Sequence, residues 1–230
     1  MKKAICLLSG GLDSTVCLFM AREQGFDPIA LSIEYGQQHS REIANAKAIT
    51  RSLGIKHYVS SLSMPWKGSS LLDERITIPL GRDPAEISTG IPNTYVPGRN
   101  SVFLSLAISC AETERAEAIF IGVNALDYSG YPDCRPEYLR VFAAAVQQGT
   151  KAGCEGKKLE IMTPLIAFTK KEIILLGGRL GVPFEKTWSC YRGGDRPCGI
   201  CDSCVLRAKG FTEAGIADPL LRQHEISSER

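Results

Sequence analysis

Two groups of residues in this chain have the types and spacing that chemistry requires. The first is the hexapeptide Ser9-Gly10-Gly11-Leu12-Asp13-Ser14, flanked by Leu8 and Thr15. It lies between an apolar run that reads as a strand and a segment of helical periodicity. Adjacent glycines let a backbone turn sharply and approach an anion closely. The helix that follows offers unpaired N–H groups and a positive dipole end. Ser9 and Ser14 add hydroxyl donors. The pattern is a phosphate loop, but no Gly-Lys-Ser/Thr follows it and it is not a G-x-G-x-x-G dinucleotide fingerprint. Asp13 places an anion beside an anion. That suits either a bridging Mg²⁺ or a hydrogen-bond organiser of the loop. A plain tight turn, with Asp13 or Ser14 as the helix N-cap, is the structural alternative.

The second group is Cys190, Cys198, Cys201 and Cys204, spaced C-x7-C-x2-C-x2-C in a segment rich in turn residues. Four thiolates that converge on one ion suit tetrahedral Zn²⁺ and leave no open position, so the site would be structural. An iron–sulfur cluster uses similar spacing, although Val205 stands where a proline would be expected. Disulfides are a further alternative. Cys6, Cys17 and Cys110 fall in apolar elements and read as core thiols. Cys134 and Cys154 have no partner at metal-ligand spacing.

These groups need a scaffold. Residues 3–8, 29–35 and 57–62 read as strands, with helices over about 14–24 and 39–53 between them. That β-α-β-α-β order implies a parallel sheet wound on both faces, an α/β fold. Residues 63–99 carry five prolines (65, 79, 84, 92 and 97) and read as an irregular excursion or lid. A helix then resumes with Phe103, Leu106, Ala107 and Cys110 on one face, and residues 118–123 form a fourth strand. Thr169-Lys170-Lys171-Glu172 is a capping box that opens another helix. The expected organisation is an α/β domain over 1–188, including the excursion, and a small Cys₄ subdomain over 189–230.

Composition is that of a soluble globular protein, 44% hydrophobic and 23% charged, with a net charge of +2. So small a basic excess argues against a nucleic-acid binder. No run approaches the ~20 apolar residues of a membrane span. The start, Lys2-Lys3 before a short apolar run, lacks the cleavage region of a signal peptide. The expected location is the cytoplasm, with no membrane and no direct nucleic-acid partner; a homodimer is allowed.

The loop resembles the pyrophosphate loop of the N-type ATP pyrophosphatases, which cut ATP between its α and β phosphates. Further stretches narrow the resemblance: Tyr95-Val96-Pro97-Gly98-Arg99-Asn100, the run from Gly122 to Glu137, Thr187-Trp188-Ser189-Cys190-Tyr191, and Glu34-Tyr35-Gly36-Gln37 with His39. Together with the cysteine spacing they are similar to the QueC/ExsB family of queuosine biosynthesis, from near residue 3 to about residue 219. The resemblance implies an adenine nucleotide alpha hydrolase-like core, two ATP per turnover, Mg²⁺ and a structural Zn²⁺. It also implies a ligase that converts 7-carboxy-7-deazaguanine and ammonia to 7-cyano-7-deazaguanine, with no glutaminase domain. Residues 8–15 would then bind ATP. Asp13, Arg99 and Asp133 are the candidates for catalysis, and Asn100, Asn124, Asp127 and Arg135 for binding the acceptor. Asp127 and Asp133 closing Asx turns, and Arg99 as a charge near a helix start, are the structural readings beside these. His39 could face the nucleotide or simply start a helix. His57 and His224 read as structural or surface residues.

Two other adenylating chemistries fit the loop. A tRNA sulfur-insertion enzyme would want a catalytic cysteine, for which Cys134 is the candidate. An NAD-synthetase-like enzyme would not need the cysteine tail. A zinc-ribbon module with Arg192, Arg196, Arg207 and Lys209 on phosphates is the non-enzymatic alternative.

Overall fold

Apolar runs without alternation, such as Ala4-Ile5-Cys6-Leu7, suit strands that are covered on both faces. The computed structural model describes residues 1–37, 41–87, 89–124 and 130–221. In it these runs form one parallel sheet of β1 (Lys2–Leu7), β2 (Phe26–Glu34), β3 (His57–Ser61), β4 (Ala118–Phe120) and β5 (Glu160–Met162). The order is β3-β2-β1-β4-β5. The chain winds outward from β1 in one direction and then in the other. The carboxyl ends of β1 and β4 therefore flank a topological switch point, where open α/β sheets bind ligands.

Successive strand residues point to opposite faces. Ala4, Cys6 and Leu8 enter one core with α1 (Leu12–Glu23), α7 (Lys170–Arg179) and α8 (Asp202–Ala214). Ala46 and Ile49 of α2 (Arg41–Leu53) join the same core. Ile5 and Leu7 enter the other core with Leu104, Ala107 and Ala111 of α4 (Arg99–Glu114). Leu139 and Val146 of α5 (Pro136–Gly149) close that layer. The doubly wound parallel α/β fold expected from the sequence is the one observed.

Several local expectations are corrected. Helix α1 begins at Leu12 rather than Ser14, and its N-cap is Gly11, with no side-chain cap. Asp13 and Ser14 therefore sit in the first helical turn and are free to face the crevice. The buried face of α4 is Asn100, Leu104, Ala107 and Ala111. Phe103, Leu106 and Cys110 pack beside it and are only partly buried. Small residues at 107 and 111 let the helix approach the sheet closely, which apolar periodicity alone does not reveal. Strand β4 is three residues long. The short β5 and the helices α5 and α6 (Lys151–Cys154) were not anticipated.

The 63–99 excursion is irregular apart from the short α3 (Pro84–Ile87). It is fastened to the cysteine segment. Leu80 forms an antiparallel bridge with Cys201, and the Gly81 N–H donates to the Ile200 carbonyl at 2.8 Å. The Arg82 guanidinium forks onto the fully buried Asp202 carboxylate at the start of α8. His57 is a structural residue, its two ring nitrogens held by Ser32 and Thr50 at 2.7 and 3.0 Å. Among the described residues no helix is long and apolar enough to cross a membrane. His39, Asp127 and His224 lie outside the described residues.

Candidate active site

A crevice opens at the carboxyl ends of β1, β2 and β4. Leu8, Ser9, Gly11, Leu12, Asp13 and Ser14 form its floor. The two serine hydroxyls meet at 2.9 Å, and the Gly11 N–H donates to Ser9 Oγ at 3.2 Å, so both side chains are gathered at the helix end. Gly10 and Thr15 do not line the crevice. The Thr15 hydroxyl turns inward and donates to the Gly11 carbonyl at 2.7 Å. Gly10 has φ +89°, and a Cβ there would collide with the Glu42 carbonyl and stand 2.9 Å from the Ala46 nitrogen. The double glycine thus serves two purposes. Gly11 exposes backbone to the crevice, and Gly10 lets α2 ride directly on the loop.

Asp13 is paired with Lys170, whose Nζ stands 2.7 Å from each carboxylate oxygen. The sequence reading assigned residue 170 to a capping box alone. That box is present, with Thr169 accepting from the Glu172 N–H and the Glu172 carboxylate accepting from the Thr169 N–H. The same turn also delivers a lysine into the crevice. A lysine in the first turn of a helix opposes the helix dipole, and this was the available signal that position 170 had another duty. Asn124 is buried and faces the crevice, and its amide donates to the Phe168 carbonyl, bracing the turn that carries Lys170. Gly122 is equally local: a Cβ there would lie 3.0 Å from the Asp13 carbonyl. Its absence lets the first turn of α1 sit against the end of β4.

The opposite wall is aromatic and carries two charged groups. Arg99 follows Gly98, whose left-handed φ of 65° starts α4. Its guanidinium donates to the Tyr35 hydroxyl at 3.2 Å and lies over the Tyr35 and Phe103 rings. Its Nε is buried without a partner among the described residues. Glu42, half-buried on α2, also lines the crevice. Burial pushes its carboxyl up to about 7, against the pull of Arg99 and with the Cys190 sulfur adding to the rise.

Asp133 and Asn100 meet, but as a fastener. Asp133 accepts from the Asn100 N–H at 3.0 Å and from its side-chain amide at 3.3 Å, which caps α4 from outside the helix. Asn100 also donates to Cys134 Sγ at 3.1 Å. Burial pushes the Cys134 thiol up to about 12. Asn100 lines the crevice and Asp133 does not. Arg135 is exposed and donates to the Pro132 carbonyl at 3.2 Å, away from the crevice.

The four cysteines converge: the sulfurs of Cys190, Cys198, Cys201 and Cys204 all lie within 4.8 Å of one another. A tetrahedral Zn²⁺ with bonds of about 2.3 Å would hold its sulfurs about 3.8 Å apart, so the donor set fits that ion. Hydrogen bonds from Cys201 and Cys204 hold the Cys190 thiol well below its ordinary range. The Cys198 and Cys201 N–H groups donate to Cys190 Sγ and Cys198 Sγ, each at 3.3 Å. The cluster is joined to the phosphate loop through Trp188. Its N–H donates to the Gly10 carbonyl at 2.9 Å, its Nε1 donates to the Cys190 carbonyl at 3.0 Å, and Arg41 stacks 4.2 Å above its ring. Arg207 is spent internally, on Asp218, Thr187 and the Phe184 carbonyl.

Comparison with known proteins agrees with this arrangement. Residues 3–215 match the family model of queuosine biosynthesis protein QueC. The chain is 52% identical over 221 residues to the 7-cyano-7-deazaguanine synthase of Trichodesmium erythraeum, covering 95% of this chain and 100% of that one. It is equally identical to the enzyme of that name from Thermosynechococcus vestitus, covering 95% of each, and to that of Anaeromyxobacter sp., covering 96% of each. With a match that runs through both the phosphate loop and the cysteine cluster, the chain belongs to the QueC family.

Proposed function

We propose that this protein is an ATP-dependent ligase that turns 7-carboxy-7-deazaguanine and ammonia into 7-cyano-7-deazaguanine, a precursor for queuosine in tRNA. The observation that carries the reading is near-full-length identity of 52% to enzymes that bear the name of that synthase. The crevice adds chemical support. A carboxylate oxygen and an amide oxygen are poor leaving groups, and each is activated by transfer to a phosphorus.

In the proposed sequence the acceptor carboxylate attacks the α-phosphorus of ATP and pyrophosphate leaves. Ammonia attacks the resulting acyl adenylate, AMP leaves, and a proton is lost to give the amide. The amide oxygen attacks the α-phosphorus of a second ATP and expels pyrophosphate. Loss of AMP and of the remaining nitrogen-bound protons leaves the nitrile. The balance is two AMP and two pyrophosphate per nitrile. Ser9, Gly11 and Ser14, with the first N–H groups of α1, would hold the departing pyrophosphate. Lys170 would fix Asp13 in the loop and place positive charge beside it. Mg²⁺ would be held by phosphate oxygens and the remaining lone pairs of Asp13. Arg99 and Asn100 would hold the acceptor, with Asn124 behind them; Asp127 and Arg135 belong to the neighbouring run. Zn²⁺ on the four cysteines would be structural, supplying a rigid support for the Trp188 contact with the loop.

Sulfur transfer is opposed by Cys134, which is buried, bonded to Asn100 and held as a thiol. Nucleic-acid binding by the cysteine segment is opposed by Arg207, whose guanidinium is committed to Asp218. The deciding experiment incubates the protein with ATP, Mg²⁺, ammonia and 7-carboxy-7-deazaguanine and follows AMP, pyrophosphate and nitrile together. Two AMP per nitrile supports the reading. AMP release with a different acceptor, and none with this one, overturns it.

A further inference from the structure

Glu42 and Arg99 are charged groups of the crevice wall that the phosphate loop does not use. Glu42 comes from α2 and Arg99 from the first turn of α4, and both line the crevice. They form no ion pair within 4 Å among the described residues, although the Arg99 charge pulls the Glu42 carboxyl down against its burial. The Glu42 carboxylate accepts no hydrogen bond from the described residues, and Arg99 Nε is buried with no partner. A buried donor such as Arg99 Nε costs stability unless something else satisfies it, and the half-buried Glu42 carboxylate is left open to a donor from the crevice. The neighbouring surface is made of Tyr35, Phe103 and Tyr131, flat rings that suit a stacked heterocycle.

Resting on the function proposed above, we propose that Glu42 and Arg99 together read the edge of the deazaguanine ring. The Glu42 carboxylate accepts from the ring N1–H and the 2-amino group, and the Arg99 guanidinium donates to the 6-oxo oxygen. A guanine-like edge presents one acceptor and two donors in a row. A guanidinium beside a carboxylate presents the complementary row, one donor position and two acceptors. The absence of a direct bridge leaves both side chains available to the ring. The assignment makes Glu42 a specificity residue. It also turns Arg99 toward the base rather than toward a phosphate, and leaves the phosphates to the loop and Lys170.

The test compares 7-carboxy-7-deazaguanine with its analogue lacking the 2-amino group, in wild type, Glu42→Gln, Glu42→Asp and Arg99→Met. Binding of ATP alone serves as the control for folding. Wild type should prefer the parent by roughly tenfold to a hundredfold in kcat/KM, the worth of a hydrogen bond to a charged group. Glu42→Gln should raise KM for the parent and bring the two compounds to within about threefold of each other. A glutamine oxygen can accept one donor, but its own NH₂ meets the second. Glu42→Asp should keep part of the preference. Arg99→Met should weaken both compounds alike and leave the preference intact. A preference that survives in Glu42→Gln overturns the assignment, as does a fall in kcat at unchanged KM for both compounds. Failure of wild type to turn over the parent at all overturns the functional reading and this one with it, and is distinguished by that result.

Discussion

Lys170 and Asp13 are 157 residues apart in sequence, yet the lysine Nζ lies 2.7 Å from both oxygens of the carboxylate. The pair bridges the first turns of α1 and α7, which pack in the same core. An aspartate in the proposed phosphate loop is thereby given a cation within the protein. The side chains keep 15% and 28% of their exposure, so the pair is screened only in part and faces the ligand space.

Replacing Lys170 should therefore harm catalysis more than folding. Lys170→Met is expected to lower the rate of pyrophosphate release by roughly a hundredfold, comparable to loss of one donor from an oxyanion hole. Stability should fall by only about 1 kcal/mol, as for a partly exposed pair. Asp13→Asn should be milder, because an amide oxygen still accepts from the lysine. Measurement of pyrophosphate release beside a urea titration separates the two effects. A Lys170→Met enzyme with wild-type rates would show that the pair is merely structural.

The two loop glycines should respond differently to alanine. At Gly10 the left-handed φ and the Glu42 carbonyl both oppose a side chain. Gly10→Ala should destabilise by about 2–4 kcal/mol, since backbone strain and a backbone clash add. At Gly11 a Cβ would meet only Ser9 Oγ at 3.2 Å and the Trp188 carbonyl at 3.4 Å. Gly11→Ala should fold and lose affinity for ATP. Thermal melts with and without ATP distinguish these outcomes.

This contrast also explains what the sequence could and could not reveal. The loop and the cysteine cluster are each built from near neighbours, so their spacing is the geometry. The α/β order was legible because strands covered on both faces and the intervening helices have different periods. Glu42 reaches the crevice only through the winding of the sheet, and nothing near it in sequence marks that, whereas for Lys170 the one sign is a cation set against the helix dipole. Asp133 illustrates the opposite limit. A carboxylate just past β4 has the right type and place for chemistry, but its oxygens are used by Asn100. The α4 face was placed only in part, because apolar residues cover well over half of that helix and only a stripe with Ser105, Ser109 and Glu112 is polar. Ala107 and Ala111 face the sheet for their small size, a matter of packing rather than hydrophobicity.

Metal on the four cysteines should be felt at the phosphate loop. Elemental analysis is expected to find about one Zn²⁺ per chain, and metal binding and local folding should be linked. Trp188 is fully buried between Arg41 and the loop, whereas Trp66 is 65% exposed. Chelation, or Cys201→Ser, should therefore red-shift the tryptophan emission by exposing Trp188. ATP affinity should fall at least about tenfold in the same samples, as expected where one 1.4 kcal/mol contact is lost. Unchanged ATP binding after complete metal removal would show that the Trp188 N–H contact with Gly10 does not couple the two sites.

The far end of the sheet predicts an acid sensitivity. Glu114, at the end of α4, accepts from Lys56 Nζ at 2.7 Å, from the Tyr58 hydroxyl at 2.6 Å and from Lys3 at 3.4 Å, joining α4 to β1 and the β3 edge. These donors, Lys56 first and Tyr58 next, hold its carboxyl down to about 2, against an ordinary value of 4.5. A carboxylate with a depressed folded-state pKa adds stability above its unfolded pKa, and loses it as pH falls through the window between the two values. Glu114→Gln should accordingly melt below wild type at neutral pH. The gap should narrow from about pH 4.5 downward and close near pH 2, while activity at neutral pH and moderate temperature stays near wild type because the crevice is at the other end of the strands. Melting temperatures of both proteins across that range test it. A gap that is constant with pH would assign the loss to packing of the side chain instead of its charge.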